Sequence, residues 1–162
     1  MYNIQAHAGN TADFWEDCWT DSLFEEAVNF SNIDPLRPLF EKFLKPGSLM
    51  FEGGCGIGHL LAYYSARGFN VVGLDFALDA LRTLHVRQPN LKLAGGDVFR
   101  LPFADKSFDL YYSGGVVEHF EDGPEVALRE AIRVLKDDGT LLVSVPYYSP
   151  LRRLLRPIKK GK

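Results

Sequence analysis

Cysteine is nearly absent from this chain. Cys18 and Cys55 are the two in 162 residues, and neither stands in a pair with metal-ligand spacing. That excludes a disulfide framework and a cysteine-type zinc site, and a reducing, cytoplasmic setting is expected. Histidine is also scarce: His7, His59, His85 and His119 show no metal spacing, so no metal is expected. No apolar run approaches the roughly 20 residues that span a bilayer. The opening residues 1–7 have neither the basic nor the apolar region of a secretion signal. There is no internal repeat and no low-complexity segment.

Acid and base are unevenly spread. The net charge of −3 hides six basic residues after Pro146 (Arg152, Arg153, Arg156, Lys159, Lys160 and Lys162) with no acid among them. Residues 1–146 therefore carry 12 basic and 21 acidic side chains, a net of −9. An acidic body argues against general nucleic-acid binding, which needs a basic face to displace counterions. The tail has two readings: a contact for phosphate, RNA or anionic lipid, or a solvated end that packs on something else.

With 46% hydrophobic residues, the chain can bury one core. Residues 1–20 are polar yet hold Phe14, Trp15 and Trp19, too aromatic for a simple disordered leader. Asp21 suits the start of a helix through Leu23, Phe24, Ala27 and Val28. Asp34-Pro35 opens another through Leu36, Leu39, Phe40, Phe43 and Leu44, ended by Pro46-Gly47. From there strands and helices alternate. Strands are expected over 48–52, 70–75, 91–94, 108–113 and 140–145, and helices over 57–67, 78–87 and 124–135. Asp137-Asp138-Gly139 reads as the turn before the last strand. Continuous apolar strands such as Leu141-Leu142-Val143 suit a sheet covered on both faces, and the alternation predicts a parallel α/β sandwich.

The chemistry concentrates where the first strand ends. Glu52 closes an apolar run, Gly54-Cys55-Gly56-Ile57-Gly58 follows, and a helical pattern begins; seventeen residues after Gly58, a second apolar run ends in Asp75. That is the layout of a nucleoside-binding β-α-β unit, with a loop that exposes bare backbone and an acid placed for a ribose. The spacing is G-x-G-x-G. A dinucleotide fingerprint, G-x-G-x-x-G, would put its last glycine on His59, which weakens a nicotinamide or flavin reading. A Walker loop is excluded because no G-K-S/T follows. A tight strand-helix turn without a ligand is the plain alternative.

Five stretches in unbroken order between residues 48 and 146 resemble the class I S-adenosylmethionine-dependent methyltransferases, type 11-like. They are Phe51 to Gly58, Val72 to Phe76, Gly96 to Phe103, Lys106 to Leu110 and Leu135 to Leu141. The resemblance implies a Rossmann-like three-layer sandwich with a mainly parallel sheet, and S-adenosyl-L-methionine as cofactor. It also implies roles. The backbone at Gly53, Gly54, Cys55, Gly56 and Gly58 would approach the methionine part, whose carboxylate would gain from the next helix N-terminus. Glu52 would hold the cofactor's amino group, Asp75 both ribose hydroxyls, Phe76 a face of adenine, Asp97 the adenine amino group and the Val98 amide a ring nitrogen. Gly53 departs from the family's usual apolar residue and would loosen the loop. Capping by Asp75 and a turn held by Asp97 are the structural alternatives.

After strand 4, Ser113-Gly114-Gly115-Val116-Val117-Glu118-His119-Phe120 resembles a family stretch at the carboxyl edge of the sheet. Ser113 and Gly114 would line the methionine part. Glu118 and His119 are the candidate catalytic residues, histidine being the side chain suited to taking a proton near neutral pH, with a packing or capping pair as the alternative.

The expected organisation is an N-terminal helical and aromatic lid segment (1–46), with Trp15 or Trp19 closing the site. An S-adenosylmethionine-binding core (47–146) and a basic tail (147–162) follow. The family fold continues past strand 5, so the sheet reads as truncated there. Its edge would be exposed, patched by Leu151, Leu154 and Leu155, or covered by a second copy in a homodimer. The acceptor is expected to be a small or lipid-like molecule. A non-catalytic binding module that needs a partner is the second reading, and a nicotinamide-dependent oxidoreductase the third.

Overall fold

The computed structural model of the chain describes residues 21–147. The elements run α1 (Asp21–Phe30), α2 (Arg37–Phe43), β1 (Leu49–Gly53), α3 (His59–Ser65), β2 (Asn70–Asp75), α4 (Leu78–Arg87), β3 (Lys92–Gly95) and β4 (Phe108–Gly114). A 3-10 turn (Val117–His119), α5 (Glu125–Val134) and β5 (Leu135–Ser144) complete them. The five strands form one sheet in the order β3-β2-β1-β4-β5, and every pair is parallel. The order runs outward from β1 in both directions. Chain connections therefore diverge between β1 and β4, and a crevice opens over the carboxyl ends of the strands at that point.

Side chains alternate across each strand, so neighbouring residues feed different layers. Met50, Val71, Leu110 and Tyr112 face one layer, packed with Leu61, Tyr64, Leu81 and Leu84 of α3 and α4. Phe51, Leu74, Phe108 and Tyr111 face the other, packed with Ala127, Ala131 and Val134 of α5. This is the expected Rossmann-like three-layer sandwich.

Phe24, Phe40 and Leu44 are buried in the same cluster as α3 and α4. Phe40 is fully buried and meets Tyr112 edge-on, with ring centroids 4.9 Å apart. Phe24, Phe40 and Leu44 thus pack as part of the core. The expected Trp15 or Trp19 closure and the basic tail from residue 148 lie outside the described residues.

The last strand departs furthest from its expected bounds. β5 begins at Leu135, paired with Phe108, and then skips to Thr140 opposite Leu110. The Asp137-Asp138-Gly139 turn survives as a bulge within the strand. Asp109 pins it: one carboxylate oxygen accepts from the Leu49 N–H (2.8 Å) and the other from Lys136 Nζ (2.7 Å). Two hydrogen-bonded partners hold the Asp109 carboxyl below its usual range against the opposing effect of its burial. Among the described residues, β5 is a sheet edge, with Val143 and Val145 exposed.

Candidate functional site

A cavity of about 370 Å³ lies over the carboxyl ends of β1, β2 and β4, at the point where the topology diverges. It gathers Glu52, Gly54, Cys55, Gly56, Asp75, Phe76, Asp97, Val98, Gly114 and His119 from the residues expected at a site. Gly53, Gly58, Ser113 and Glu118 do not line it.

Strand alternation explains Ser113. Tyr112 and Gly114 face the cavity, so Ser113 between them points to the opposite layer, where it is buried near Ala127 and Ala131. Glu118 is exposed on the 3-10 turn. Gly53 is the buried last residue of β1 and not a loop residue, and a Cβ there would collide with the Tyr111 hydroxyl. It is a close-packing position, not a source of flexibility. Gly58 has a left-handed backbone (φ 65°), and a Cβ there would strike Leu84, so this glycine brings the start of α3 onto α4.

The glycine loop is tied down by its own amides. The N–H groups of Gly54 and Cys55 both donate to the Leu74 carbonyl, at 2.8 and 3.0 Å, and Gly58 N–H donates to the Cys55 carbonyl at 2.8 Å. Gly56 N–H donates to Asp75 Oδ2 at 2.7 Å. These N–H groups are engaged within the chain, and Gly54, Cys55 and Gly56 line the cavity. Gly54 takes φ 76°, and a Cβ there would run into Val116 from the segment after β4.

Asp75 works as a clamp at the tip of β2. Its second oxygen accepts from the Ala77 N–H at 2.9 Å, so one carboxylate holds both the glycine loop and the entry to α4. Each oxygen retains a lone pair for a further donor. Burial pushes the Asp75 carboxyl up, while the backbone donors pull it back. Asp97 similarly accepts from the Phe99 N–H at 2.9 Å, which makes the turn after β3. The turn held by Asp97 is thus realised, whereas Asp75 does not cap α4, whose N-cap is Ala77 with no side-chain hydrogen bond.

Glu52 is different. It is 4% exposed, and among the described residues its Oε2 has no hydrogen-bond partner. Burial, and then the nearby Asp75 charge, push its carboxyl well above the ordinary range. The same two acids and, above all, burial raise the Cys55 thiol, which makes it a packing group and not a reactive thiolate. Phe76 is 43% exposed and presents its ring at the cavity.

Sequence reasoning passed over His59, Tyr112, Phe99, Val116 and Phe120, all of which line the cavity. His59 opens α3, and burial lowers its basicity against the opposing Asp34 charge. Phe99 and Phe120 pack together with centroids 4.4 Å apart. The signal for His59 and Phe120 was their place beside the motifs. Tyr112 carried none, because it reads as strand filler.

The methyltransferase-domain family matches residues 51–143. Demethylmenaquinone methyltransferase from Renibacterium salmoninarum is 36% identical over 110 residues, covering 66% of this chain and 46% of that protein. A malonyl-acyl-carrier-protein O-methyltransferase from Serratia marcescens is 32% identical over 109 residues, covering 67% and 42%. Among solved structures, the PH0226 protein from Pyrococcus horikoshii superposes with a TM-score of 0.65 at 32% identity, covering 80% of this chain and 62% of that one. The chain therefore spans just under half the length of the curated relatives it matches.

Proposed function

Because the chain belongs to the methyltransferase-domain family, the class I S-adenosylmethionine-dependent enzymes, we propose that it binds S-adenosylmethionine in this cavity and methylates a small-molecule acceptor. The observation that carries this reading is Glu52, a buried carboxyl with an oxygen that lacks a partner, facing a cavity. An orphaned buried acid calls for a donor, and the cofactor's ammonium is one. The residues present fit the rest of the group. Asp75 has lone pairs left for two ribose hydroxyls, Phe76 offers adenine a flat face, and Asp97 and Val98 stand on the neighbouring strand tip.

Charge separates this reading from a dinucleotide oxidoreductase. Among the described residues, the cavity lining includes Glu52, Asp75 and Asp97 and neither lysine nor arginine. A pyrophosphate would meet like charge there, whereas a sulfonium and an ammonium meet opposite charge.

When bound, S-adenosylmethionine supplies an electrophilic methyl group whose bonding electrons leave with sulfur. The chain's task is then orientation: holding the acceptor in line and excluding water, an effect worth up to about 7–11 kcal/mol. His119, on the 3-10 turn at the cavity, is the group assigned to take the acceptor's proton where one must leave. Glu118, the other candidate, is exposed beside it on the same turn.

A second reading is favoured by coverage. The chain spans 46% and 42% of two relatives, which suits a cofactor-binding module whose acceptor site needs further chain or a partner. Calorimetry with S-adenosylhomocysteine and nicotinamide dinucleotide tests the cofactor, and a radiolabelled methyl-transfer screen on this chain and on a longer one tests the acceptor step. Binding of the dinucleotide in preference would overturn the assignment.

A further inference from the structure

At the carboxyl edge of the sheet, a row of polar side chains crosses three strands. Glu52 of β1 is the register partner of Tyr112 of β4, and the Tyr112 hydroxyl hydrogen-bonds Ser144 of β5 at 2.9 Å. One step below, the same face is apolar, with Met50 beside Leu110. The row therefore leads from Glu52 and Tyr112, which line the cavity, toward β5.

Tyr112 is built into place. Its ring is 7% exposed and rests edge-on against Phe40 at 4.9 Å. Its hydroxyl lies over Gly114, where any Cβ would collide with it, so glycine at 114 is what admits the hydroxyl. Gly114 and Tyr112 both line the cavity.

We propose that Tyr112, its hydroxyl oriented by Ser144, is the hydrogen-bonding group for the methyl acceptor, and that the acceptor presents an uncharged hydroxyl-type oxygen there. This rests on the methyltransferase reading and adds the acceptor's chemical class to it. A hydroxyl pair can turn either a donor or a lone pair toward its ligand, which suits an oxygen that is both. Tyr112 is not the base: burial, the largest cause, holds its hydroxyl up at about 12, so it stays protonated at neutral pH. Glu52, Asp34 and Glu118 all press negative charge on it. The described lining residues supply neither lysine nor arginine to pair with a carboxylate or phosphate. Ser144 is a positioning residue, acting through Tyr112.

The test is saturation-transfer NMR on the protein saturated with S-adenosylhomocysteine, with benzyl alcohol and benzoate as probes. Benzyl alcohol is expected to bind, and benzoate to bind about tenfold more weakly or worse. Tyr112→Phe should weaken benzyl alcohol by about fivefold, the worth of one hydrogen bond. Ser144→Ala should move it the same way, and Ser144→Thr, which keeps the hydroxyl, should restore it. Near-ultraviolet circular dichroism reports folding; should Tyr112→Phe not fold, the two Ser144 variants carry the test. Benzoate binding as well as the alcohol, no binding of the alcohol, or a hydroxyl-deleted variant with unchanged affinity would overturn the proposal. Failure of S-adenosylhomocysteine itself to bind the unaltered protein has a different signature, and it overturns the reading beneath.

Discussion

Replacing Glu52 by glutamine should stabilise the ligand-free protein and impair it as a binder. Glu52 is 4% exposed with one oxygen unpartnered, and its carboxyl is held well above the ordinary range by burial first and by Asp75 second. A folded-state pKa raised above the unfolded value means the folded protein holds the proton more tightly. Glu52 therefore favours folding fully below the unfolded carboxylate range, and that contribution is lost as pH rises through the folded pKa. Glutamine keeps the shape and cannot ionise. At pH 5 the two proteins should melt close together. At pH 8 the variant is freed of an unsatisfied charged group, a gain of about 1–3 kcal/mol, which for a domain of this size raises the melting temperature by about 2–10 °C. Binding should move the other way. A charge-assisted hydrogen bond to an ammonium is worth about 1.5–3 kcal/mol, so S-adenosylhomocysteine affinity should fall by about 10- to 100-fold. Thermal melts at both pH values and calorimetry read the two effects. A variant that melts lower at pH 8, or binds as tightly as the parent, would refute the reasoning, because a merely structural Glu52 would not couple gain and loss.

Other positions give separate checks. Asp75→Asn retains one acceptor where Asp75 serves both Gly56 and Ala77; it should lower the melting temperature and weaken S-adenosylhomocysteine by about 100-fold, measured by calorimetry. Gly53→Ala should destabilise by about 1–3 kcal/mol through collision with the Tyr111 hydroxyl, and Tyr111→Phe in the same chain should recover part of it in denaturant titrations. Asp109→Asn should cost about 1–3 kcal/mol at pH 7, since the carboxylate holds Leu49 and Lys136. The Asp109 carboxyl is held low, so its contribution is present above the ordinary carboxylate range and lost as pH falls through the folded value; the two proteins should converge in acid melts.

The strand-helix rhythm was legible from local pattern alone. β2 and α4 take the expected bounds 70–75 and 78–87, because Asp75 ends the apolar run of the first and Pro89 follows the helical pattern of the second. The start of β5 was not legible. Its bulge depends on Asp109, a residue 27 positions from Lys136, catching the folded-over turn. Motif positions located the cavity, yet they could not say which face of a strand each residue takes; Ser113 fell on the wrong side of that alternation. The loop amides illustrate the same limit. Glycines at 54, 56 and 58 announced a tight turn, but only the neighbouring strand shows that Leu74 and Asp75 absorb those N–H groups. Tyr112 was invisible for a related reason, since its meaning comes from Glu52, Ser144 and Gly114 meeting it across three strands.

The central claim is that the acidic, cation-poor cavity beside Glu52 and Asp75 receives an adenosyl thioether or sulfonium. Isothermal titration of the unaltered chain with S-adenosylhomocysteine, with nicotinamide dinucleotide in a parallel run, measures this directly. The account predicts saturable one-to-one binding of the first and no heat from the second. Silence with S-adenosylhomocysteine, or tighter binding of the dinucleotide, would contradict it.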